Sequence, residues 1–198
     1  MHVYIGLVGP ICSGKSSATP AIEAVFGEVT VVRMSDLIRC SLGGPPAPAL
    51  SRRALRDYAN EKRRSFGSGY WMELALAAVG SSANTAVVID GIRNPAEVVT
   101  LKAVASPTFT IGFSADEDVL LRRARTRGRD IDPDQHDELL AMLRGEALSA
   151  PEWDVDIGAC LDQADFVVNA NLDLAGANQQ VLEIARRIQQ QCLFRGPV

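Results

Sequence analysis

The chain predicts a three-layer α/β fold, with a parallel sheet of about five strands covered by helices on both faces. Three observations carry this. Apolar segments of strand length alternate with longer segments of helical period along nearly all of the 198 residues. The first apolar segment, Val3-Tyr4-Ile5-Gly6-Leu7-Val8, runs directly into a glycine-bearing loop and then a helical pattern. The run Ala86-Val87-Val88-Ile89 is continuously apolar and ends on Asp90, the form of a buried parallel strand whose carboxyl end meets something polar.

The elements follow in order. After the loop, residues 16–26 read as a helix, with Pro20 early enough to be tolerated. Residues 29–34 form a short apolar strand, and Ser35-Asp36 starts the next helix. Gly43-Gly44-Pro45-Pro46-Ala47-Pro48 breaks structure and reads as a surface loop. Helices are predicted over 51–64 and 69–79, then the strand ending at Asp90, then a helix opened by Pro95 and running to about residue 104. A strand over 108–113, helices over 116–127 and 134–148, a strand over 164–169 and an amphipathic helix over 174–191 complete the pattern. Alternating strands and helices imply right-handed crossovers. The segment Glu152-Trp153-Asp154-Val155-Asp156 fits none of these patterns.

Hydrophobic residues at 47% and charged residues at 22% are ordinary for a soluble globular domain, and the length suits one. We expect a single domain, 1–198, with a helical region at about 40–80 and a lid-like region at about 122–150. No apolar run approaches the ~20 residues of a membrane span, and the start lacks a basic leader, so a cytoplasmic protein without membrane contact is expected. The net charge of −4 makes nucleic acid a poor expected partner. Cys12, Cys40, Cys160 and Cys192 are widely spaced without C-x-x-C pairing, which predicts reduced thiols, mostly buried. Trp71 has the spacing of a core anchor with Leu74 and Ala75; His2 and His136 have no neighbours that suggest catalysis.

Gly9-Pro10-Ile11-Cys12-Ser13-Gly14-Lys15-Ser16 fits G-x-x-x-x-G-K-[ST]. In that pattern the backbone N–H groups of Gly9, Ile11, Cys12, Ser13, Gly14, Lys15, Ser16 and Ser17 form a concave anion site with the following helix. Lys15 reaches the β- and γ-phosphates of a nucleoside triphosphate and Ser16 helps to hold Mg²⁺. ATP and Mg²⁺ are therefore the expected cofactors. Asp90, at the end of its strand, fits the second metal-linked position.

Other charged residues gather where strands end. Asp36 and Arg39 lie three apart on one helical face after the second strand. Arg93 follows Asp90 at the edge of the sheet and faces the ligand crevice. Five arginines crowd 122–129, of which Arg123 and Arg127 share a helical face and Arg129 follows. Such a density suits charge neutralisation during phosphoryl transfer. The mixture of cations and aromatics around Arg52, Arg56, Arg63 and Tyr70 suits an acceptor with a phosphate and a flat base.

Together, the phosphate loop, Ser35-Asp36-Leu37-Ile38-Arg39, the 90–95 segment and the 123–129 segment resemble the nucleoside monophosphate kinase group of P-loop kinases over nearly the whole chain. Adenylate-kinase-like and deoxynucleoside monophosphate kinases are similar, with dephospho-coenzyme A kinases as cousins. Asp36-Leu37-Ile38-Arg39 is similar to the adenylate-kinase motif Gly-Asp-x-Leu-Arg, with Ser35 in place of glycine. Asp90-Gly91-Ile92-Arg93 resembles the Asp-x-Arg strand end of viral-type deoxynucleoside monophosphate kinases with one residue inserted. The resemblance implies a donor-adenine contact for Arg123, phosphate contacts for Arg127 and Arg129, and an acceptor-phosphate contact for Arg39.

The expected activity is Mg-ATP-dependent phosphoryl transfer to a nucleoside monophosphate, by a monomer or homodimer. Lys15, Asp36, Arg123 and Arg127 are the catalytic candidates, and Asp36, Arg39, Arg63 and Arg93 the substrate-binding ones. Two alternatives stand beside it. One is a kinase of a hydroxyl acceptor such as dephospho-coenzyme A, a nucleoside or a hydroxymethylated base, with Asp36 taking the proton. The other is an ATPase switch without an organic acceptor.

Overall fold

A computed structural model describes residues 2–43, 52–80, 84–104, 106–127 and 151–194. Five strands, β1 (Val3–Val8), β2 (Val29–Arg33), β3 (Ala86–Ile92), β4 (Thr108–Ser114) and β5 (Phe166–Asn169), form one parallel sheet in the order β2-β3-β1-β4-β5. The sheet is the one its apolar runs predict. The order reverses beside β1, so the crevice at the carboxyl ends of β1 and β3 is where such a sheet takes ligands.

Alternation along the strands sorts two cores. Val3, Ile5 and Leu7 of β1, with Ala86 and Val88 of β3, face α1 (Thr19–Phe26) and the long terminal helix, whose Val181, Ile184 and Ile188 complete that layer. Tyr4, Val8, Val87 and Ile89 face the opposite layer, which holds α4 (Tyr70–Val79) and α5 (Pro95–Lys102). Trp71 is fully buried there and its Nε1–H donates to the carbonyl of Ala59, as a core anchor with a satisfied polar end. Between β2 and α4 lie α2 (Met34–Ser41) and α3 (Arg52–Phe66); beyond β4 comes α6 (Glu117–Arg127). The terminal helix is Leu174–Phe194.

Several boundaries differ from expectation for local reasons. The helix predicted from residue 16 begins instead as a 3₁₀ turn, Lys15–Ser17, because the loop must close tightly before Pro20 can seat in the first turn of α1. Met34 leaves β2 and opens α2. A short helix, α7 (Ile157–Asp162), follows the unassigned 152–156 segment, with the Asp156 carboxylate capping it at the Ala159 N–H; we therefore number the terminal helix α8. The helix predicted over 134–148, His136, Arg129 and most of the Gly-Pro stretch lie outside the described residues.

β3 carries a bulge. Leu7 pairs with Asp90 but Val8 pairs with Ile92, leaving Gly91 as an extra residue at φ +100°. Simple alternation would turn Ile92 to the α1 side; the bulge sends it to the α4–α5 core, where it is fully buried. The inserted residue noted in Asp90-Gly91-Ile92-Arg93 is thus the residue that resets the strand's face, after Asp90 has been aimed at the phosphate loop.

Candidate functional site

The phosphate loop leaves β1 at Gly9, whose φ is +148°; a Cβ there would stand 2.7 Å from the backbone oxygen of Phe113 and 3.0 Å from the Ser13 hydroxyl. Glycine is therefore required by both conformation and space. Cys12 adopts φ +60°, rare for a residue with a side chain, and its buried thiol packs with Ile11 against Leu120, Leu121 and Ala124 of α6. The positive φ values of Cys12 and Gly14 let the loop curl around the Lys15 side chain. Lys15 Nζ donates to the carbonyls of Gly9 and Pro10, both at 2.6 Å, and to Ser13 Oγ at 3.3 Å. Ser17 N–H donates to the Gly14 carbonyl and closes the first turn.

Asp90 shares a face with Val88, the face that α1 covers. Ser16 precedes α1 on that side. The two meet: Ser16 Oγ donates to Asp90 Oδ2 at 2.8 Å across 74 residues of chain. A hydroxyl and a carboxylate, both hard oxygen donors beside a loop of backbone N–H groups, fit Mg²⁺ held jointly with phosphate oxygens. The loop's tight, glycine-dependent curve fits the phosphates themselves.

One strand away, Arg33 at the end of β2 is paired in register with Asp90, and α2 then carries Asp36 and Arg39. These two form an ion pair at 3.2 Å, with side chains 59% and 42% exposed. On the other flank, Arg123 of α6 donates through Nη2 to the Leu172 carbonyl at 2.6 Å, in the loop after β5. The packing of α6 on Ile11 and Cys12 brings Arg123 to that side of the phosphate loop. Arg127 is the last helical residue of α6. Arg93 follows the bulge at the sheet edge, half-buried, with its N–H donated to Glu97 and its carbonyl accepting from the Asp156 N–H.

Arg63 requires a correction. It is expected at the acceptor, yet its side chain is 3% exposed and held by Glu97, which is fully buried. Nε and Nη2 donate to Glu97 Oε1 at 3.0 and 2.7 Å, and Nη1 donates to Asn60 Oδ1 at 2.9 Å. Helix periodicity turns this one cation of the Lys62-Arg63-Arg64 run inward. Glu97 and Asn60 hold it there, and Asn94 and Asp154 stand behind them; none of the four was a candidate in the sequence. Asn94-Pro95-Ala96-Glu97 is in fact a capping box with Pro at the first helical position, a pattern readable in advance. Asp154 had no local pattern. Burial would raise its pKa, but hydrogen bonds from the Val155 N–H, Arg56 and Asn60 outweigh that and hold its carboxyl below the usual carboxylate range. Burial, then the charges of Glu97 and Asp156, push the Cys160 thiol up, so it stays protonated and inert. Cys12 is also buried, Cys40 exposed and Cys192 intermediate.

The strand order, the phosphate loop and the placement of Asp90 beside it define the fold of the P-loop kinases. Solved structures agree: a gluconokinase from Sinorhizobium meliloti 1021 superposes with TM-score 0.58 at 18% identity, covering 98% of this chain and 97% of that one. A shikimate kinase from Bacteroides thetaiotaomicron gives 0.55 at 18%, covering 93% and 98%. TT1252 from Thermus thermophilus gives 0.59 at 17%, covering 94% and 97%. No family model matches the sequence. The chain belongs to the UPF0200 family: a UPF0200 protein of Methanoculleus marisnigri is 32% identical over 174 residues, covering 86% of this chain and 88% of the relative. Another, from Saccharolobus solfataricus, is 24% identical over 177 residues, covering 89% and 88%.

Proposed function

We propose that the chain is an Mg-ATP-dependent phosphotransferase whose acceptor is a small nucleotide, a nucleoside monophosphate, bound between α2 and the end of β3. The observation that carries this reading is the contact of Ser16 with Asp90 beside the Lys15 loop, at the sheet's switch point, with Asp36 and Arg39 one strand away. Bound there, Mg²⁺ would supply charge neutralisation to the transferring phosphoryl group. Ser16 and Asp90 would hold it. Lys15 would exchange its loop carbonyls for phosphate oxygens. Arg123, with Arg127 and Arg129, would contact the donor nucleotide, and Arg39 and Arg93 the acceptor phosphate. An acceptor phosphate is already an anion, so catalysis is mostly positioning and neutralisation.

A second reading is favoured by one observation: Arg63 is paired with Glu97 in the interior, which takes one cation away from the candidates for an acceptor phosphate. In that reading the acceptor offers a hydroxyl and Asp36 takes its proton.

The test is ADP release with Mg-ATP against ribo- and deoxyribonucleoside monophosphates, dephospho-coenzyme A and hydroxymethylated nucleosides. A selective monophosphate signal is expected, falling about a hundredfold to a thousandfold in Lys15→Ala. Signal on a hydroxyl acceptor alone, with Asp36→Asn lowering kcat about a hundredfold or more, would replace the first reading by the second. Turnover with water alone, unchanged by every acceptor, would sink both.

A further inference from the structure

Beside the phosphate site, five side chains close a hydrogen-bonded circuit. Arg63 on α3 donates to Glu97 Oε1. The other oxygen of Glu97 accepts the backbone N–H groups of Arg93 at 2.9 Å and Asn94 at 3.2 Å. Asn94 Nδ2 donates to the carbonyls of Glu152 and Asp154, both at 2.7 Å. The Asp154 carboxylate accepts from Asn60 and, at 3.0 Å, from Arg56. Asn60 Oδ1 accepts from Arg63, and the circuit returns to its start. With Arg56 attached at Asp154, two acids balance two arginines, so the cluster is neutral and draws no anion to itself. Its members come from α3, the 93–97 turn that caps α5, and the 152–154 segment, three stretches that the chain separates widely.

We propose that this ring makes α3 and the Arg93 turn one rigid unit, with Glu97 and Asp154 as positioning residues that set how the acceptor side of the crevice is held. The functional half rests on the phosphotransferase reading above; the mechanical half does not. The ring touches the Arg93 N–H directly, and Arg93 sits three residues beyond Asp90. Cutting one link opens the ring, and the groups it held gain arrangements that the closed ring excludes. The ATP side, built on the loop after β1 and on α6, shares no ring residue. Cutting the ring therefore changes acceptor binding and spares ATP binding.

The experiment uses the full chain as wild type, Asp154→Ala, Asp154→Asn and Glu97→Gln. Glu97 is buried and its variant is at risk of misfolding; Asp154, at 19% side-chain exposure, keeps the test available. Hydrogen exchange is the first readout. Asp154→Ala is expected to speed exchange at least tenfold at the amides of 93–97, some sixty residues away in sequence, while peptides covering the phosphate loop stay as in wild type. A rise confined to 151–156 would overturn the ring. Steady-state kinetics is the second, on whichever acceptor the panel identifies. The acceptor KM is expected to rise at least tenfold in Asp154→Ala, with KM for Mg-ATP within twofold and partial rescue in Asp154→Asn, which keeps the accepting oxygen. Equal losses on both substrates would overturn the positioning role. A wild-type protein that binds Mg-ATP but phosphorylates nothing on the panel removes the phosphotransferase reading and the positioning role with it, whereas the exchange result still decides the ring.

Discussion

Gly91 shows how much one residue decides. At φ +100° it absorbs the bulge that follows Asp90, leaving that carboxylate on the Ser16 side while turning Ile92 into the opposite core. A Cβ at this position meets Met34 Cβ at 3.6 Å and Cγ at 4.0 Å, ordinary contacts, so space does not forbid a side chain; conformation does. Gly91→Ala is expected to cost about 1–3 kcal/mol in urea unfolding. In the kinase assay it should also lower kcat/KM, since relief of the strain moves both Asp90 and Arg93. Unchanged stability would mean that the bulge is not held in the left-handed region. The arginines make the complementary point. Arg39 is a surface cation paired with Asp36, whereas Arg63, in a run of three cations, is a buried structural one. Removing one partner of a buried pair strands the other charge, which is why the Arg63–Glu97 contact differs in weight from any surface pair.

At the scale of elements, α5 is the clearest case of a local signal with a distant use. Asn94 accepts the Ala96 N–H, Glu97 reaches back to the Asn94 N–H, and Pro95 occupies a position whose N–H the helix leaves unpaired. That is an ordinary capping box. The same Asn94 side chain also holds Glu152 and Asp154 through its amide donors. Asn94→Ala is therefore expected to cost more than the about 1 kcal/mol of a lost cap. A guanidinium denaturation curve should show an excess over that figure, reflecting two carbonyls left without their donor. A loss no larger than a cap's would show that the Asn94 amide adds nothing to the hold on 152–154 that Asp154 and the stacking of Arg64 on Trp153 do not already provide. The first-turn cap was legible in the sequence; its second set of partners was not, because hydrogen bonds to carbonyls nearly sixty residues away carry no local pattern.

Across the whole molecule, the segment before α7 ties the last third of the chain to α3 through Asp154, and this tie depends on its charge. Its folded pKa lies below the unfolded value, so it stabilises the fold at neutral pH and that contribution is lost as the pH falls below about 4 and through the folded pKa. Urea midpoints of wild type and Asp154→Asn should differ at pH 7 and draw together as the pH falls below about 4. Convergence is the expected sign; a gap that widens on acidification would contradict a depressed pKa. Among the described residues no helix is long and apolar enough to cross a membrane.

The sequence by itself determined the sheet, the phosphate loop and the two residues, Ser16 and Asp90, that meet beside it, because each is written in contiguous residues: apolar strand runs, glycines where the backbone must curl, a lysine and serine at fixed offsets. Tertiary structure alone decided which arginine stays at the surface and which is buried in an ion pair. Arg63 and Arg39 look alike along the chain, and Glu152-Trp153-Asp154-Val155-Asp156 shows no periodicity at all. The roles of Arg63 and Asp154 come from partners 34 and 98 residues away, Glu97 for Arg63 and Arg56 for Asp154, whereas Arg39 pairs within its own helical turn. Burying a charge is tolerated only beside such a partner, and which partner arrives is a property of the packed fold rather than of any local stretch.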